Sequence, residues 1–208
     1  MGGRVMGVDK VILRAFLSTL AAVAILFTFM LTALVCVYPQ TMMEITYDLG
    51  METPSIWFAE EAYKRTDDVG YIAHATEVAI GESKYEKIEE CGERFIADEG
   101  FAGYCEEKNE ALADKVTSGY DQYVYGQICV AMYEQDKQDE AVERAFELTG
   151  KAFPKNNAVV ALVVTANKAG DTATLDKIKG KMEQLNESIP EGVDKAYLGE
   201  VLALVSKG

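Results

Sequence analysis

The hydrophobic pattern of the chain changes character once. Residues 15–37 carry no charge and no Gly, Pro, Asn or Gln. As a helix, that run is about 34 Å long at roughly 1.5 Å per residue, enough to cross a hydrocarbon core of about 30 Å. Beyond Pro39 the apolar residues recur at helical spacing. Met42, Met43, Ile45 and Leu49, with Tyr47, predict a short amphipathic helix over 41–49 that Gly50 ends. Thr53-Pro54 is a start signal, Thr as cap and Pro at the first helical position, for a helix over 54–65 with Ile56, Ala59, Ala62 and Tyr63 on adjoining faces. Asp67 or Asp68 caps the next helix, which runs to about Ile80. Ile88, Cys91, Phe95 and Ile96 place another over 84–97.

Gly100 and Gly103 mark a break before a more polar helix over 104–118, closed by Gly119. Helices over 120–135, 138–153, 156–169, 172–187 and 192–206 complete the set, punctuated by Asp136-Lys137, Pro154, Gly170-Asp171 and Pro190. No stretch alternates at period two. The expectation is an all-α chain with three parts: a basic cytoplasmic tail over 1–14, a transmembrane helix over 15–38, and a helical domain over 41–208 with an inserted helix near 100–118.

A basic tail before an apolar run also describes a cleavable secretory signal. Here the run exceeds the usual apolar core of such a signal, and residues 32–39 offer no Ala-x-Ala; Val35 precedes Cys36 where a lipobox needs a small residue. The reading is therefore an uncleaved anchor. Arg4, Lys10 and Arg14 flank its amino end, whereas the next basic residues are Lys64 and Arg65. The positive-inside rule then keeps the amino terminus in the cytoplasm and puts the helical domain outside it.

The helices repeat. Aligning residues 49–63, 82–96, 136–148 and 170–178 makes Ser55, Ile88, Ala141 and Leu175 equivalent, at intervals of 33, 53 and 34 residues. Two intervals match a single unit, and the long one contains the insertion at 100–118. Lys84-Tyr85-Glu86-Lys87-Ile88 resembles the start of the second helix of a tetratricopeptide repeat, and Phe153-Pro154-Lys155-Asn156-Asn157-Ala158 resembles its inter-repeat turn. Ser55, Ala59, Ala62, Ala141 and Ala145 fall where that family needs small side chains. The pattern is degenerate: Gly92 stands for an aromatic, Cys129 for a small residue, and the Trp-Leu-Gly-Tyr signature is missing. The resemblance covers about residues 41–190 and implies a TPR-like array of antiparallel helical hairpins that binds protein or peptide. A non-repeating helical bundle is the alternative.

Charge narrows the partners. The chain has 20 Lys+Arg against 34 Asp+Glu, a formal charge of −14, and its basic tail leaves the rest more acidic still. Such a domain repels nucleic-acid phosphate and anionic headgroups, so nucleic acid is excluded as a partner, while a protein or peptide and the membrane itself remain. Cys36 lies in the apolar run, and Cys91, Cys105 and Cys129 form no CxxC and no even-numbered framework. They read as small core residues, with a Cys91–Cys105 bridge as the alternative.

Chemistry is sparse. His74 is the single histidine, with Glu77 one turn on; His-Glu-x-x-His, phosphate-binding glycine loops, nucleophile elbows and EF-hand spacing do not occur. No cofactor, metal site or catalytic residue is expected, and an enzyme using His74 is the weakest reading. Tyrosine is the conspicuous resource. If first helices of the hairpins line a binding face, Tyr120, Tyr123, Tyr71 and His74 are the candidate partner-binding residues, and inter-helix packing is the competing role for the tyrosines. The function expected is a membrane-anchored scaffold or chaperone-like adaptor, or alternatively a structural subunit of a larger membrane complex.

Overall fold

In the computed structural model, which describes residues 5–112, 119–188 and 193–205, the chain forms eleven helices and no strand among those residues. They are α1 Val5–Val37, α2 Pro39–Asp48, α3 Glu52–Thr66, α4 Val69–Gly81, α5 Tyr85–Ile96, α6 Phe101–Leu112, α7 Tyr120–Glu134, α8 Gln138–Thr149, α9 Ala158–Ala169, α10 Thr172–Ser188 and α11 Val193–Val205. The chain divides into two units, Met1–Phe58 and Ala59–Gly208.

In the first unit, α1 starts ten residues before the uncharged run does. Its stretch Ile12–Met30 is long and apolar enough to cross a membrane, and none of that stretch is buried in the protein. Hydroxyls of α1 are satisfied by the helix itself: Ser18 donates to the Ala15 carbonyl at 2.9 Å, Thr28 to Ala24 at 2.8 Å and Thr32 to Thr28 at 2.8 Å. A helix that consumes its own polar groups can sit in hydrocarbon without unpaired donors. α2 begins on Pro39, where the missing N–H costs nothing, and turns back through Gly50 at φ +67°. Ser55 Oγ donates to the Met43 carbonyl at 3.3 Å across that turn.

In the second unit α4 packs on α5, α5 on α7 across the inserted α6, α7 on α8, α8 on α9, α9 on α10, and α10 on α11. Superposed on this, α7 also packs on α9, whereas α8 meets α10 more loosely. The unit is thus built from the hairpins α4/α5, α7/α8 and α9/α10, with α6 inserted against α4 and α7. The small residues Ala59, Ala62, Ala141 and Ala145 are wholly buried, as is Ser55 in the first unit. Two glycines set the closest approaches. A Cβ on Gly92 would stand 2.6 Å from Ile128 Cγ1, so α5 meets α7 at glycine-only spacing, and one on Gly126 would stand 3.1 Å from Ala161 Cβ, a tight approach of α7 to α9. Cys91, Cys105 and Cys129 are buried free thiols, and burial pushes each up to about 12. They fill the core, and Cys91 and Cys105 are not bridged.

Several boundaries differ from expectation. α3 begins at Glu52, so Thr53 and Pro54 lie in its first turn rather than at its start. α6 begins at Phe101, and Gly103 lies inside it. The Asp98 carboxylate accepts from Gly100 N at 2.7 Å, turning the chain directly into the helix, and Phe101 packs edge-on against Phe95 at 4.8 Å. The expected continuation of this helix to 118 falls outside the described residues. α8 stops at Thr149 instead of 153, because Gly150 takes φ +61°. Asp68 is the cap of α4, accepting from Gly70 N at 2.9 Å, and Asn157 caps α9.

Candidate functional site

The inserted helix α6 brings distant residues onto α4. Along α4, Ile72, Ala73, Ala75, Thr76, Val78 and Ala79 are buried, which leaves Tyr71, His74 and Glu77 as a half-open stripe at spacing of three. Glu77 is the hub. Its Oε1 accepts from Tyr120 Oη at 2.5 Å, lies 2.8 Å from Lys108 Nζ and accepts from Tyr104 Oη at 3.4 Å. Lys108 stands 5.4 Å from the Tyr104 ring centroid and 5.7 Å from that of Tyr120, so its charge meets both a carboxylate and two ring faces.

An aromatic run extends from this hub. Phe95 meets Tyr104 edge-on at 5.4 Å, Tyr104 lies 6.1 Å from Tyr120, and Tyr120 lies 6.1 Å from Tyr123. α6 also fixes the start of α7, since Asn109 Oδ1 accepts from Tyr120 N at 2.7 Å. The insertion therefore adds a second fastening between two hairpins that already meet through α5 and α7 and through the Tyr120–Glu77 bond.

Electrostatics follow from burial. Burial and the bond to Glu77 push the Tyr120 phenol far up, so it stays protonated and donating. The Tyr104 phenol is raised by burial and then by the Glu77 charge. Burial lowers the Lys108 ammonium, but the hydrogen bond and charge of Glu77 together with Tyr104 outweigh that, and the net direction is up. His74 moves the other way: burial holds it below 6.5, Glu77 opposes, and Lys108 adds to the lowering. Its favoured state near neutrality is the uncharged imidazole.

The four sequence candidates are thus distributed unevenly. Tyr120 is 6% exposed and committed to Glu77, whereas Tyr123, on the same helix, is 42% exposed. Tyr71 and His74 are half-buried on α4. The sequence reading missed Lys108, Tyr104 as a partner of Glu77, and Asn109. Their separation from Glu77 and Tyr120 spans 27 residues for Tyr104 and 11 for Asn109 through an insertion with no counterpart in the other hairpins, so no periodicity signalled them.

A second feature runs along the second helices. Glu60 on α3 receives Lys87 at 3.2 Å and Arg94 at 3.1 Å from α5; Glu93 on α5 receives Arg144 of α8 at 2.8 and 2.5 Å; Glu89 receives Lys137 at 2.7 Å. On the next step Lys181 of α10 reaches Glu143 of α8 at 2.8 Å, and Lys177 reaches Asp139. α5 and α8 each offer cations backward and carboxylates forward, while α3 contributes a carboxylate and α10 cations, a repeating polar seam that lay hidden behind the acidic composition. No group of His, Cys, Asp and Glu among the described residues has the geometry of a metal site.

Compared with protein-family models, curated proteins and solved structures, the chain matches none of them.

Proposed function

We propose that the protein is a single-pass membrane protein whose degenerate TPR-like array is a scaffold or chaperone-like adaptor, binding a protein or peptide outside the cytoplasm. The observation that carries this reading is the pairing of Tyr123 with Tyr120. One ring is locked to Glu77, and the other stands 42% exposed beside it on a first helix of the array. A rigid aromatic that is already ordered loses little entropy on binding, which suits a contact residue. Binding on the side of the first helices is also what the TPR-like order supports, because α7 packs directly on α9 while the polar seam of ion pairs occupies the second helices. The basic flank of Arg4, Lys10 and Arg14 supports a cytoplasmic amino terminus.

The reading is tested by crosslinking and mass spectrometry on solubilised membranes: one protein should recur across conditions and be lost in Tyr123→Ala. Recovery of no recurrent protein contradicts it. A permanent structural subunit is the second reading, favoured by the wholly exposed apolar surface of Ile12–Met30. Size-exclusion chromatography in mild detergent separates the two, because a permanent subunit never runs alone.

A further inference from the structure

The first unit leaves large apolar side chains uncovered immediately after α1. On α2, Pro39, Met43 and Thr46 are buried. Yet Ile45 is 45% and Leu49 69% exposed, and Tyr38 at the head of the helix is 55% exposed. Tyr38, Met42, Ile45 and Leu49 follow the spacing i, i+4, i+7, i+11, so they form one stripe, turned away from the buried residues. Met51 and Trp57, a little further on, are 46% and 48% exposed. A ten-residue helix with one apolar face buried and a second one open needs a cover for the second.

The connection to α1 says what that cover is. α1 ends at Val37 and α2 begins at Pro39, so a single residue separates them. At about 3.8 Å per residue, an α1 that crosses a bilayer delivers α2 directly to its surface. Tyr and Trp, with an apolar body and a polar tip, are the side chains suited to that depth. Charge selects the kind of surface. The chain has no Lys or Arg between Arg14 and Lys64, while Glu44, Asp48 and Glu52 lie in the segment, so anionic headgroups repel it. Free interfacial helices are normally basic. This one is instead held in place by the anchor, which raises its effective concentration at the surface.

We propose that α2 and the turn after it lie in the headgroup region of a zwitterionic bilayer, with Tyr38, Ile45 and Leu49 toward the acyl chains. The proposal rests on α1 spanning the membrane. It gives residues 38–57 a role as a membrane-seated collar that holds the junction between anchor and helical domain at the surface.

Trp57 is the only tryptophan of the chain, so fluorescence reads the site directly. The full-length protein is reconstituted into phosphatidylcholine vesicles and floated. Three further single-tryptophan proteins are made in a Trp57→Phe background: Ile45→Trp, Leu49→Trp, and Glu183→Trp on the exposed side of α10 as control, each checked for native helicity. Emission at positions 45 and 49 should shift to the blue on reconstitution, and lipid brominated near the headgroup should quench it at least about twofold more than at the control. Replacing half the lipid by phosphatidylglycerol should weaken that quenching. Floated protein in which positions 45 and 49 are quenched no more than position 183 overturns the proposal and leaves the anchor intact. Quenching that strengthens with anionic lipid overturns the choice of a zwitterionic surface. Protein that does not float overturns anchor and collar together.

Discussion

Glu77 shows how one carboxylate oxygen can organise three elements. It takes donors from α6 and α7 while sitting on α4, and the shortest of these bonds, 2.5 Å from Tyr120, involves a phenol that is 6% exposed. Tyr120→Phe removes that donor and keeps the ring, so chemical denaturation should record a loss of about 1–2 kcal/mol; an unchanged midpoint would mean that Lys108 and Tyr104 suffice for the carboxylate. His74 gives a pH-dependent counterpart. Burial sets its folded value below the ordinary 6.5, so the unfolded chain takes up the proton first. The stability that it contributes is complete above about pH 6.5 and declines as pH falls from there through the lower folded value. His74→Gln should flatten the Tm curve between about pH 7.5 and 5. Equal slopes in the two proteins would contradict the assigned direction.

At the scale of helices, glycine and charge divide the work of packing. Gly92 sits where any Cβ would collide with the wholly buried Ile128, so Gly92→Ala should destabilise: overpacking of roughly 1–3 kcal/mol exceeds a propensity gain of about 1. Gly103 and Gly180 lie in helices with open space around them, and alanine there should stabilise by up to about 1 kcal/mol in the same melts. Stabilisation by Gly92→Ala would mean that α5 and α7 approach less closely. The polar seam is graded by exposure. The Glu60 side chain is 8% exposed and holds two cations, so Glu60→Ala should cost about 1–3 kcal/mol, whereas Lys177→Ala, in a pair that is 53% and 77% exposed, should change stability by less than about 0.5. Equal effects from both would remove burial as the deciding factor.

The helices themselves were legible in the sequence because their punctuation is local: Asp68 and Gly170 act within a turn of where they stand, whereas Asn157, expected inside its helix, proves to be the cap. The start of α6 was not, because Gly103 reads as a breaker while Asp98 and the Phe95–Phe101 contact decide otherwise. The seam was not either, since its partners lie 27 to 51 residues apart in a chain where acidic residues are common.

For the whole molecule, two signals of different range combine. An uncharged run of residues announces a membrane-crossing length by itself, and the fold adds that its hydroxyls are internally satisfied and its surface uncovered. The helical domain reveals its hairpins through spacing, but which tyrosine is committed and which is presented emerges only when α6 and α7 meet α4. Tyr120 and Tyr123 look alike in sequence and differ in the fold by 6% against 42% exposure. That difference is the basis for reading the array as an adaptor. The most direct test places a photo-crosslinking amino acid at position 123 in membranes containing the full-length protein, with the same group at Glu183 as control. One protein should be captured repeatedly at position 123 and not at 183. Capture of nothing at 123, or of the same mixture at both positions, would contradict the adaptor reading.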